Sequence, residues 1–413
     1  MQEAMMKTDP GRSIPMDRFL SDLEPFINLD TPTADLAACR NAAVFLAARL
    51  EKAGLSVTRH SCGADGRPLL TAVDPSAGQD KASSERHADR HDGKTYDFLL
   101  VGHFDTVFPA GTAAQRPFRL DTAEGRVYGP GTVDMKAGVL LMIYLAEYLA
   151  AVHPEIRLCL LLDCDEETGS ADSAPFLTEY GEKSGCAFVF EGARKAGQFV
   201  SQRKGCRKYE IKITGVASHA GTAPRQGASA IVEMARWITA LDKLKRYDRG
   251  TSVNIGLVQG GTALNVVPDR CTAKVEIRYT DEKEILRIQR AIDRMSRKPS
   301  VENTQAHVTC LSDMLPLRLS LETRVLMDQM TAYGEEHRSE IEAGLLDPID
   351  FVSAGGLSDA NRLAACGIPV MDGCGPGGGF PHSEKEFLSL ASLQKRYRLL
   401  TGLLPYLYRQ MNA

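Results

Sequence analysis

In IRLCLLLDCDEETGS (Ile156–Ser170) an almost unbroken apolar run ends on three adjacent acids, Asp165, Glu166 and Glu167. A strand that is apolar on both faces belongs in a sheet covered on both sides. The acids pose a separate problem, because neighbouring carboxylates repel and raise one another's pKa. Either they fan out into water at the strand end, or a cation compensates them.

The same design recurs on both sides of this stretch. YDFLLVGHFDTV (Tyr96–Val107) runs apolar as far as His103 and Asp105, and CAFVFEGA (Cys186–Ala193) runs apolar as far as Glu191. Helical segments lie between such runs, including Lys136–Val152, so the pattern is α/β. In these sheets binding sites form beyond the carboxyl ends of the strands, where the polar residues fall. Upstream, residues 33–54 read as an amphipathic helix closed by Gly54, followed by a strand at LSVTRH. The polar tract from about Asp74 to Tyr96 reads as a surface loop.

From about Lys204 the texture changes. RKYEIKITG alternates as a half-exposed strand; a helix (Ala228–Lys245), two strands (Thr251–Gly261, Asp269–Thr280), a second helix (Glu282–Arg297) and a last strand (Ala306–Asp313) follow. The order βαββαβ is that of a ferredoxin-like α+β unit. The α/β texture then returns with IDFVSAGG, IPVMDG and a closing helix. The expected division is a catalytic domain from 1–203 and 317–413, with a mixed sheet covered by helices, interrupted by an inserted domain at 204–316.

Composition narrows the function. With 49 basic and 53 acidic side chains among 413 residues and no basic run, nucleic acid is not the expected partner. The N-terminus lacks the apolar core of a secretory signal. The longest apolar stretch, Ala137–Val152, is short for a bilayer and contains Glu147, so it reads as a buried helix and no membrane partner is expected. Ten cysteines without a C-x-x-C pair read as reduced core residues, which points to the cytoplasm.

The candidates for chemistry are His103, Asp105, Asp134, Glu166, Glu167, Glu191 and His382. A lone histidine after a strand is usually structural, but in HFD an acid two residues away suits the orienting partner of a metal-binding imidazole. Asp134 alone reads as a first-turn helix acid. Together, two histidines and three or four carboxylates at one sheet edge suit zinc, with cobalt or manganese as alternatives. One carboxylate can bridge two ions about 3.5–4 Å apart. HADRH, with His87 and His91, lies in a polar tract and reads as a solvated loop. GCGPGGGFPH (Gly373–His382) lacks the phosphate-loop residues and reads as a loop of unusual backbone angles delivering His382.

GHFDTV, GPGTVDMKAG, DEETGS, EGA, SHAG, NVVP and PHSEKEF occur in the order used by the zinc-dependent aminoacylase and carboxypeptidase family. The chain resembles that family from about residue 20 to its end, most of all the bacterial glutamate carboxypeptidases. The resemblance implies two Zn2+ per chain, one held by His103 and Glu191, the other by Glu167 and His382, with Asp134 bridging. It implies that Glu166 is the general base, taking a proton from the attacking water and returning it to the leaving amine. It further implies that Asp105 orients His103, that the Asp134–Met135 peptide is cis, and that Asn265 and Arg278 hold the substrate carboxylate. The inserted domain would make a homodimer, with His219, on a loop after a strand, serving the partner's site. Leu357, in GGLSDANR, stands where the family commonly has a small or hydroxyl residue. The expected substrate is a peptide or acyl-amino acid with a free carboxylate. The alternative within the class is an N-acyl amino acid deacylase or desuccinylase. A non-catalytic metal-binding protein is the reading from another class, and the intact Glu166 speaks against it.

Overall fold

The computed structural model describes residues 12–75 and 93–412. His87, His91 and most of the expected 74–96 loop lie outside the described residues. The chain divides into two compact units. The first comprises residues up to Gln202, Leu319–Ser353 and Ser358 onward; the second comprises Arg203–Arg318 and Ala354–Leu357. The short return of Ala354–Leu357 to the second unit has no counterpart in the expected boundaries.

The first unit opens with α1 (Met16–Ile27), which the sequence reading did not anticipate, and α2 (Leu36–Lys52). The Asp35 side chain caps α2 by accepting from Ala37 and Ala38 N–H. Five strands follow: β1 (Ser56–Cys62), β2 (Arg67–Val73), β3 (Tyr96–His103), β4 (Leu158–Asp163) and β5 (Ser184–Val189). With Val370–Met371 they make one mixed sheet in the order β1-β2-β4-β3-β5, then Val370–Met371. β1 and β2 pair antiparallel to their neighbours, while β4, β3, β5 and Val370–Met371 run parallel. All six residues of β4 are buried, as its continuous apolar run requires.

Between β3 and β4 runs α3 (Ala137–Val152), in which every residue from Ala137 to Ala146 is buried. Counted with the turn before it, Thr132–Val152 is 21 residues long and apolar enough to cross a membrane. Its burial among α1, the sheet and the last helix makes it the core helix that the sequence reading expected. Gly138 lets its first turn approach the sheet: a Cβ there would stand 2.3 Å from the Phe190 carbonyl oxygen. Phe98, Leu100, Leu160, Leu162 and Phe188 from the strands join Leu140, Ile143, Leu400 and Leu404 from the helices in one core.

Register sets the strand ends level. His103 pairs with Asp163, and Val101 pairs with both Leu161 and Val189. The chain therefore leaves three parallel strands at the same edge, carrying His103 and Asp105, Asp165–Glu167, and Glu191.

The second unit contains β6 (Gly205–Thr214), α4 (Ala230–Asp242), β7 (Ser252–Gly260), β8 (Arg270–Tyr279), α5 (Glu282–Arg297) and β9 (Gln305–Met314). Its four-stranded antiparallel sheet has the order β7-β8-β6-β9. α5 buries Ile285, Ile288 and Ile292 on one stripe, and these pack with Trp237, Tyr209, Ile211 and Ile277. His219 sits in a two-residue strand, not the expected loop; Ser218–His219 pairs with Val266–Val267.

Candidate metal centre

His103, at the end of β3, is fully buried. Its Nδ1 faces the Asp105 backbone oxygen at 3.1 Å and Asp105 Oδ1 at 3.2 Å, which leaves Nε2 turned to the site. Asp105 is itself held: its Oδ2 accepts from Thr33 Oγ1 at 2.7 Å and from the Glu167 N–H at 3.3 Å. One acid thus orients the histidine and ties the next strand's loop to it.

Asp134 lies in the turn before α3, and the Asp134–Met135 peptide is cis. Its two carboxylate oxygens face two different histidines. Oδ1 is 3.3 Å from His103 Nε2, and Oδ2 is 3.0 Å from His382 Nε2. Glu191 Oε1 lies 3.7 Å from His103 Nε2, and Glu167 Oε2 lies 3.3 Å from His382 Nε2. Glu166 Oε2 is 4.0 Å from His103 Nε2. His382 arrives on the glycine-rich loop with φ +60, and Phe380 before it also adopts a positive φ. The unusual angles fall on these side-chain-bearing residues as well as on Gly373. The site grades from buried His103 to half-exposed His382.

Of the three acids that end the β4 stretch, Asp165 does something different. Its Oδ2 accepts from the Asp172 and Ser173 N–H groups at 2.8 and 3.4 Å, so it braces the following turn. The sequence also gave no role to Glu386, four residues after His382. This carboxylate is buried and accepts from the N–H of Gly131, Val133 and Asp134 at 3.1, 2.9 and 3.1 Å. Its presence in the quoted PHSEKEF was the only available signal. Asp163 and Asp359 are further buried acids; the Ser170 hydroxyl donates to Asp359.

Electrostatics test whether these residues fit a metal. Burial raises the Glu166 carboxyl well above its usual range; His103 opposes that, while Glu191 and Asp359 add to it. Burial works against charge on His103, yet Asp105 and Asp134 raise its pKa well above the ordinary value. Hydrogen bonds to Asp134 and Glu167 push His382 up to about 10. Burial alone would raise Asp134, but the two imidazoles hold it low. In the protein by itself the neighbouring acids therefore favour the protonated imidazoles, and burial favours the neutral Glu166. Two nitrogen donors and carboxylates converging from several loops, with one carboxylate split between two positions, fit divalent cations. His103 with Glu166 and Glu191, and His103 with Asp134 and Glu167, each bring ligand atoms within 4.8 Å of one another.

His219, Asn265 and Arg278 all belong to the second unit. The short ladder joins the first two, and the Asn265 carbonyl accepts from Ala220 N–H at 2.8 Å. Arg278 lies on the separate four-stranded sheet. It pairs with Cys206 at the start of β6, whereas Arg270 pairs with Thr214 at its end.

The family model described as Peptidase family M20/M25/M40 matches residues 99–405. Carboxypeptidase G2 of Pseudomonas sp. (strain RS-16) is 24% identical over 389 residues, covering 93% of this chain and 88% of that protein. Acetylornithine deacetylase of Myxococcus xanthus is 28% identical over 325 residues, covering 72% of this chain and 80% of that protein. Among solved structures, a tripeptidase from Staphylococcus aureus has a TM-score of 0.71 at 21% identity, covering 95% of this chain and 99% of that one. An M20 family metallo-carboxypeptidase from Sulfolobus solfataricus has a TM-score of 0.70 at 16% identity, with the same coverage. At these identities the structural likeness speaks for the fold, and the family match covers most of the chain. The protein belongs to the peptidase family M20/M25/M40.

Proposed function

We propose that the protein is a two-metal exopeptidase of the glutamate carboxypeptidase type, cleaving an amide bond next to a free carboxylate. As a family member it is a metal-dependent peptidase or amidohydrolase. The observation that carries the finer reading is the division of the Asp134 carboxylate between His103 and His382. His103 and Glu191 would hold one ion, Glu167 and His382 the other, and Asp134 both. Zinc suits this donor set, with cobalt or manganese as substitutes. When bound, such ions supply Lewis acidity and lower the pKa of water.

The remaining chemistry falls to the chain. Glu166, whose carboxyl is raised above its ordinary range by burial, takes the proton of the attacking water and returns it to the leaving nitrogen. His219 Nδ1 accepts from the Gly221 and Thr222 N–H groups, both at 3.1 Å. The neutral ring then carries its proton on Nε2, as a donor to a developing oxyanion requires. Arg278, held by Glu276 and the Gly355 carbonyl, would pair with the substrate carboxylate together with Asn265.

His219 and Asn265 lie at a two-stranded ladder separate from the four-stranded sheet that carries Arg278, and a homodimer would let a partner copy bring that ladder to the site. Edge strand β7 exposes Leu257 and Val258, and α4 exposes Ile231 and Val232, an apolar surface suited to a homodimer. All ten cysteines are free, which supports a cytoplasmic location. The similarity to acetylornithine deacetylase favours acyl-amino acid deacylation as the second reading.

The test is a panel of glutamyl peptides and N-acyl amino acids, each with its carboxylate amidated as control, offered to zinc-loaded protein. Cleavage confined to the free carboxylates is expected. Equal cleavage of the amidated set would overturn the reading.

A further inference from the structure

A cavity of about 90 Å³ opens beside the metal centre within the first unit. Val133 and Asp134 form one wall, Glu191–Arg194 a second, and Gly378, Gly379 and Pro381 a third. Backbone pairings hold the latter two together: Gly375 N–H donates to the Glu191 carbonyl at 2.9 Å, and Ala193 bridges Gly377 in parallel. Glycine lets the third wall close on the neighbouring strand. At Gly378 a Cβ would strike the Phe387 carbonyl oxygen at 2.0 Å. Room for about three waters suits a short side chain.

Arg194 is the cation in this lining. Its backbone is locked in a tight turn, donating to the Gln198 carbonyl and accepting from Gly197 N–H, both at 3.0 Å. The side chain is half-buried, and its Nε is shielded from solvent without a hydrogen-bond partner. The two acids that share the cavity wall, Asp134 and Glu191, are the residues assigned to the metals, so with cations bound Arg194 is the charged lining residue left to meet an anion. A guanidinium in that position is complementary to an anion, and its fork matches a carboxylate.

We infer that Arg194 is a specificity-determining residue that reads a second carboxylate on the substrate, beyond the one assigned to Arg278. The inference rests on the hydrolase reading above and deepens it. The favoured substrates are amides in which a dicarboxylic group, of the glutamyl, aspartyl or succinyl type, sits at the scissile bond. The short cavity places the second carboxylate within a few bonds of the carbonyl.

Matched pairs test this with zinc-loaded full-length protein. N-benzoylglutamate is compared with N-benzoylglutamine, and N-succinylleucine with N-butyrylleucine. Each pair keeps the α-carboxylate and changes only the second charge. The expected result is a preference of at least about tenfold in kcat/KM for the acidic member of one pair, the scale of one charged hydrogen bond. That ratio should collapse toward one in Arg194→Ala and recover in part in Arg194→Lys. A second measurement needs no turnover: glutarate should raise the melting temperature of the zinc-loaded wild type and not that of Arg194→Ala. A ratio unchanged by Arg194→Ala, or equal stabilisation of both proteins by glutarate, would overturn the assignment. If no amide were cleaved, the hydrolase reading would fall, and the glutarate comparison would still decide the role of Arg194.

Discussion

Glu386 accepts the backbone N–H of Asp134 at 3.1 Å, so the acid that faces both histidines is positioned by another acid that faces neither. The same carboxylate takes the N–H groups of Gly131 and Val133, fixing the whole turn before α3. Support of this kind commonly changes metal affinity by 10–100-fold. Glu386→Ala should therefore weaken zinc binding by about that factor and lower the melting temperature, because three buried donors lose their acceptor. Competition with a chelating dye measures the first effect. Unchanged affinity in a folded variant would leave Glu386 a packing residue.

Chelation should abolish activity, and zinc or cobalt should restore it. Elemental analysis of the active protein should give about two ions per chain, since Asp134 offers one oxygen to each side. Full activity in a metal-free sample would contradict the assignment.

Metal loading should release protons. In the metal-free protein His382 is raised from 6.5 to about 10, chiefly by Asp134 and Glu167. That shift stabilises the metal-free fold fully below pH 6.5 and is lost as pH rises through about 10. Between those values a cation must displace the His382 proton, so apparent affinity should climb with pH across the window. Calorimetry at pH 7.5 in buffers of different ionisation enthalpy should detect at least one proton released. A heat independent of buffer would rule this out.

Glu166→Gln should keep its metal content and lose turnover. The amide preserves shape but accepts no proton, and loss of a general base costs about 10²–10⁴-fold in kcat. Near-normal kcat in this variant would remove Glu166 from the reaction.

Glu166→Ala and His219→Ala should each be nearly inactive alone, yet complement each other after subunit exchange. A dimer that builds each site from Glu166 of one protomer and His219 of its partner regains one intact site per heterodimer. Statistical mixing then returns about a quarter of wild-type activity. Absence of recovery, with exchange confirmed by mass, would place His219 in its own protomer's site or outside the reaction.

The sequence by itself determined most of the elements and the edge at which chemistry collects. The unbroken apolar run of β4, the alternation of β6 and the stripe of α5 are local signals, because burial of a strand or helix face is written within a few residues. His103, the acids after β4 and Glu191 were legible as strand-end residues for the same reason. Only the tertiary structure decided which oxygen of Asp134 meets which histidine, that Asp165 turns away to brace a loop, and that Glu386 holds the Gly131–Asp134 turn. It likewise decided that Arg278 and His219 lie on separate sheets of the second unit. These facts depend on contacts between residues far apart in the chain. Periodicity reports the face a residue occupies; it carries no information on which distant partner closes over that face.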